Sequence, residues 1–182
     1  FIAAQAGRAV GNALGAALVT GSGSSQPAGV ATQATAGKTG AATTPTTDDL
    51  IDLMYSVISP YRASSSCHWM FRDATAAHLR KLKDDNGQYL WQPSLVLGQP
   101  DMLLGKPVAT DPNVAAADNS AKSVLFGDFA AYWVRLAGGL RFERSDDFAF
   151  SSDLVTFKVV ARADGMTVDQ TGAIKAFVGV SA

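Results

Sequence analysis

Few residues in this 182-residue chain are of types that do chemistry, and their spacing decides against most of it. Cys67 and His68 are adjacent and could pair a thiol with an imidazole. They fall in a run, residues 66–71, that reads as a strand, where adjacent side chains point to opposite faces. The pair therefore splits into a buried thiol and an imidazole on the polar face. His78 sits beside Leu82 on a helical pattern, and two histidines with one cysteine do not match zinc-ligand spacing. Asp146 and Asp147 could supply paired carboxylates, yet no third catalytic group lies near them in sequence. Gly37-Lys38-Thr39 looks like the end of a phosphate-binding loop. Such a loop needs glycine where Thr32 stands and a buried strand before it. Asp84-Asp85-Asn86-Gly87 lacks the alternating ligands and terminal glutamate of a calcium loop. The residues point to no enzyme, no cofactor and no metal. A small hydrolase using Asp146, Asp147 or Cys67 with His68 is the enzymatic alternative, and it requires those groups to converge in one pocket.

The elements around these residues are easier to read. Ile2, Ala6, Val10, Leu14 and Leu18 recur every four residues and give one narrow apolar stripe, so the chain opens on a helix ending at Gly21. Gly11 and Gly15 weaken that helix in isolation, which implies packing against neighbours. Residues 31–47 contain no large apolar side chain, and 12 of the 17 are Ala or Thr. That composition predicts a surface loop or a segment pinned by a partner, the most mobile part of the isolated chain, cut first by protease near Lys38 and protected by assembly. Thr46 and Asp49 have capping-box spacing ahead of an apolar face of Leu50, Ile51, Met54, Val57 and Ile58, with Pro60 ending the helix. Asp73 is expected to cap a helix running to Lys83, and Asp84 to Gly87 to turn the chain. From Gly98 onward the pattern is mostly β, closing on a strand from Ala173 to Val178. Gly105, between Leu103-Leu104 and Lys106-Pro107, reads as a bulge or as an ordinary loop glycine.

Composition sets the class. Apolar residues make up 47% and charged residues 17%, below the usual ~25%, which suggests that much of the surface is covered. The net charge of −1 argues against nucleic-acid reading and anionic membranes, and no apolar run approaches a membrane span. The first 47 residues carry only Arg8 and Lys38; the other 135 carry 13 basic and 16 acidic residues. A single cysteine excludes an internal disulfide and fits a reducing compartment. The start at Phe1, without methionine, reads as a processed or truncated piece. Aromatic residues such as Trp69, Trp91, Trp133, Tyr132 and Phe129 are scattered over short strands and loops. They serve core packing or subunit contacts.

Five segments, in order, resemble the major capsid proteins of tailed bacteriophages, with the Hong Kong 97-type fold. Gly21 to Gly29 resembles the "GxGxxQPxG" turn after the family's spine helix. Asp48 to Tyr61, the 67–71 strand and the 73–83 helix resemble its axial domain. Leu82 to Trp91 is similar to the "LKDxxGxYLW" hairpin and Leu103 to Val108 to "LLGxPV". Phe126-Gly127-Asp128-Phe129 with Tyr132, then Arg162 to Gly165, are similar to the peripheral "FGDF…Y" and "R.DG" signals. The resemblance implies an α+β (mixed α/β) subunit: the end of a spine helix at 1–20, a Gly/Thr-rich loop at 21–46, an axial lobe at 47–126, peripheral strands at 127–171 and a strand returning to the axial lobe at 172–182. It implies a capsid subunit that self-assembles into hexamers and pentamers around double-stranded DNA, in a virion built in the host cytoplasm, without a membrane partner. An encapsulating shell for cellular cargo shares the fold. The family's N-terminal arm and extended loop lie upstream of the helix and are expected to be missing. Residues 146–156 hold Asp153 and no asparagine, so subunit cross-linking is not expected. Charge beside aromatic area makes Trp133, Arg135, Arg141, Glu143 and Arg144 the candidate subunit-interface residues.

Overall fold

The apolar stripe of the first residues becomes α1 (Ile2–Thr20), in a computed structural model that describes residues 1–84, 86–91, 101–169 and 172–180. Expectations falling on Asp85, Gly98, Thr171 and residues 181–182 lie outside these. α1 stops at Gly21, whose φ of −57° is not a left-handed cap. Glycine is required there by proximity: a Cβ would lie 2.2 Å from the Pro27 carbonyl oxygen and 2.4 Å from that of Ala17.

The expected surface loop is instead ordered. It contains α2 (Val30–Gln33) and β1 (Thr35–Thr39), and β1 pairs in parallel with β8 (Ile174–Val178). Composition misleads here because main-chain ladder bonds need no apolar side chain. A second support is Lys122, whose Nζ donates to the carbonyl oxygens of Ala31, Thr32 and Ala34 at 2.7–2.9 Å. Lys38, the expected first cleavage point, lies within β1 and pairs with Asp52 at 2.5 Å.

α3 (Thr47–Ser56) has the expected capping box, with Thr46 and Asp49 bonded both ways. Its inward face is Leu50, Leu53 and Val57; Ile51 and Ile58 are exposed. Pro60 does not end that helix. It sits in the first turn of α4 (Ser59–Ala63), where its missing N–H costs nothing. β2 (Cys67–Phe71) follows, then α5 (Asp73–Arg80). Arg72 takes the N-cap position, and the helix stops at Arg80 rather than Lys83 because the chain turns back: Leu90 N–H donates to Leu82 O, and the Asp84 carboxylate accepts from the N–H groups of Asn86 and Gln88.

β3 (Met102–Leu103) and β4 (Lys106–Thr110) form a hairpin, with Leu103 opposite Lys106. Leu104 and Gly105 have φ of +50° and +75°, so Gly105 belongs to a two-residue turn and not to a bulge. β5 (Lys122–Asp128) completes a six-stranded sheet in the order β1-β8-β5-β2-β4-β3. The sheet is mixed: β1–β8 and β2–β4 are parallel, the other pairs antiparallel. Alternation sends Cys67, Trp69, Phe71, Val124, Phe126 and Phe177 to one face, under Leu50, Leu53, Val57 and Leu79. Leu125, Ile174 and Ala176 go to the other, against Val19 of α1 and Val30, Ala31 and Ala34 around α2.

The remaining strands, β6 (Tyr132–Ala149) and β7 (Leu154–Thr167), leave this sheet and pair only with each other among the described residues. The ribbon is fixed at its base. Tyr132 donates its hydroxyl to Ala28 O, Ala28 N–H donates to Gly165 O, and Gln33 Oε1 accepts from Thr167 N–H.

Candidate functional site

None of the candidate catalytic groups converge. Cys67 is fully buried, and burial pushes its thiol up. His68 lies on the opposite face of β2, stacked on Phe129 with ring centroids 4.1 Å apart. Asp146 and Asp147 are exposed near the end of the β6–β7 ribbon, and Asp146 is paired with Arg144 at 2.9 Å. Lys38 is in a strand and no phosphate loop forms around it. Among the described residues, no group of three or more His, Cys, Asp or Glu could hold a metal, and no helix is long and apolar enough to cross a membrane.

What the molecule presents instead is the ribbon. Among the described residues, 22 large hydrophobic side chains are exposed, and 11 of them lie from Trp133 to Met166. A lone exposed leucine is ordinary, but this many along one two-stranded ribbon is the kind of exposure that marks an interaction surface. Two register breaks, after Ala137 and after Ser145, divide the ribbon. The first contains Gly138 and Gly139, both at positive φ.

Cross-strand register sorts the side chains. The inner face looks toward α1: Tyr132, Val134 and Leu136 on β6 lie opposite Thr167, Gly165 and Ala163 on β7. Leu136, Leu140 and Ala161 meet Gly7, Val10, Gly11 and Leu14 of α1 around a cleft of about 190 Å³. Beyond the first break this face carries Phe142 and Phe157, ring centroids 5.5 Å apart. Burial, with the Asp164 carboxylate adding, holds the Tyr132 phenol above its usual range.

The outer face carries most of the candidate interface. Trp133 lies opposite Met166, Arg135 opposite Asp164, Ala137 opposite Arg162 and Glu143 opposite Lys158. Glu143 accepts from Arg141 at 2.7 Å and lies 4.0 Å from Lys158. Thus Trp133, Arg135, Arg141 and Glu143 share one face, while Arg144, opposite Phe157, lies on the inner face and reaches Asp146. All five are exposed.

Sequence reading missed the ribbon's end. Phe148 and Phe150 are 83% and 82% exposed there. The signal was present: two phenylalanines stand between Asp146-Asp147 and Ser151-Ser152-Asp153, residues that form turns rather than cores.

Comparisons with known proteins agree with this anatomy. The chain is similar over 99% of its length to a chain from the capsid of the empty GTA particle, computed with C5 symmetry, at 26% identity and a TM-score of 0.85. The capsid of the native GTA particle matches equally well. The chain spans 65% of the length of each of those chains. A Gordonia phage Cozz structure shares the fold at 18% identity, with 93% of this chain and 59% of that one covered and a TM-score of 0.64. No curated protein sequence matches. The model of the phage capsid family covers residues 1–179, and the chain belongs to that family.

Proposed function

We propose that the chain is a structural subunit of a bacteriophage or prophage capsid, self-assembling into hexameric and pentameric capsomers of an icosahedral shell around double-stranded DNA. The observation that carries this is the exposed apolar and aromatic surface of the β6–β7 ribbon, Trp133, Met166, Phe148 and Phe150 above all. A subunit that works alone would bury such a surface; one that works in a shell leaves it for neighbours. Likeness to the GTA capsid chains supports the same reading. In this reading the six-stranded sheet with α3 to α5 is the axial lobe, β8 is its returning strand, and α1 with the ribbon is the peripheral lobe. Trp133, Arg135, Arg141, Glu143 and Arg144 serve subunit contacts. Packaged DNA is held without sequence reading, in keeping with a net charge of −1.

Electron microscopy of the purified full-length gene product is the test. Closed shells of regular size are expected. A monodisperse monomer at high concentration, with every assembly partner supplied, would overturn the reading. Nucleic acid extracted from the shells supports a genome container; protein cargo in its place would make the shell an encapsulating one.

A further inference from the structure

The two ends of the ribbon are built to one plan with opposite charge. At its base the outer face shows Trp133 and Met166, 67% and 53% exposed, beside Arg135 and Arg162. Neither arginine has an ion pair among the described residues. At the tip, Phe148 and Phe150 stand beside Asp147 and Asp153, which likewise have none. The tip is an apolar pair flanked by two carboxylates; the base is an apolar pair beside two arginines, with Asp164 opposite Arg135, and is basic on balance, so both ends have the pattern of an interface core and its charged rim.

The ends of one ribbon cannot meet. Arg162 and Asp153 lie on one extended strand system, about 30 Å apart at ~3.3 Å per residue. Only another molecule can join them. Resting on the capsid reading, we propose that the tip of one ribbon docks on the base of the outer face of a second copy's ribbon, Phe148 and Phe150 against Trp133 and Met166, Asp147 and Asp153 against Arg135 and Arg162. Such a contact joins different patches of identical chains, the heterologous kind that closes into rings or extends over a shell. The outer face suits a protein partner better than a phosphate backbone. Its basic residues are interrupted by Glu143, and its largest exposed side chain is a tryptophan with no phosphate to meet.

The test is charge exchange in the full-length protein, read as the concentration at which assembly begins by light scattering and sedimentation. Arg135→Glu with Arg162→Glu should raise that concentration about tenfold or more, as should Asp147→Lys with Asp153→Lys, because attraction becomes repulsion at each contact. The chain carrying all four changes should assemble near the wild-type concentration, since complementarity returns with its sign reversed. A fourfold variant no better than either pair overturns the proposal. So do arginine variants that assemble normally but hold less nucleic acid, which would assign this face to DNA. Circular dichroism of each variant checks folding. Should one fail to fold, the wild type decides: its assembly must weaken steeply between about 0.05 and 0.5 M salt, and a flat response refutes the docking. Wild-type protein that never associates overturns the capsid reading itself, a result distinct from assembly that ignores these charges.

Discussion

Replacing Gly105 with valine tests backbone strain almost free of packing. A Cβ at this position would have no heavy atom within 4 Å, so the substitution creates no clash. What it meets is a φ of +75°, which costs an ordinary L-residue about 1–2 kcal/mol and a β-branched one more. The hairpin could escape that cost by peeling β3 from the sheet edge. Two indoles prevent it: Trp69 Nε1 donates to Leu103 O and Trp91 Nε1 to Met102 O, both at 2.9 Å. Detaching β3 would leave these buried donors unpaired at about 1–3 kcal/mol each, more than the strain itself. The strain therefore stays in the folded state. Gly105→Val should lower stability by about 1–3 kcal/mol, or roughly 2–10 °C in Tm for a chain of this size. Gly105→Asn, which tolerates left-handed backbone, should cost less than half as much. Thermal melts followed by near-ultraviolet circular dichroism measure both. A valine variant with unchanged Tm, or an asparagine variant as damaged as the valine one, would refute the reasoning.

Leu104, exposed at a φ of +50°, is strained in the same turn, so Leu104→Asn should raise Tm by a few degrees; a fall would contradict this. Lys122→Met leaves the carbonyls of Ala31, Thr32 and Ala34 without their cation and should cost about 1–3 kcal/mol in urea titrations. Burial holds the Cys67 thiol above its ordinary value of 9.0, so the unfolded thiol ionises first. That contribution to stability is complete below about pH 9 and is lost as pH rises toward the folded value, a slope that Cys67→Ala should flatten in melts across pH 8–11. The same thiol should resist a disulfide reagent at pH 8 until denaturant is added.

The parts of the fold legible in the sequence are those fixed by neighbours in the chain. Thr46 and Asp49 announce α3 because a capping box is closed within four residues. Asp84 and Gly87 announce a turn because a short carboxylate and a positive φ act locally. β1 was illegible for the opposite reason: its pairing is with Lys175 to Val178, far along the chain, and its own residues are small and polar. Pro60 stops one helix or starts another with equal chemistry, and only the packing of Val57 decides. The candidate interface was legible as residue types, tryptophan and arginine beside each other. Its division into two faces follows from period-2 alternation, since the break at Gly138 and Gly139 adds two residues and keeps the parity; what the sequence does not show is which face turns toward α1.

If the chain assembles as proposed above, the two-stranded ribbon also has a bearing on the fate of the free subunit. Its long edges carry main-chain donors and acceptors with few strand partners among the described residues, and such edges template ladder growth between chains as readily as correct assembly. Partition between the two depends on concentration, since both are bimolecular. The register breaks after Ala137 and after Ser145 interrupt the edge, so a misplaced neighbour can pair over short lengths only. Short mispaired ladders dissociate quickly. On that reading, the irregularities that look like defects in the ribbon would limit errors of association to contacts brief enough to be undone before they grow.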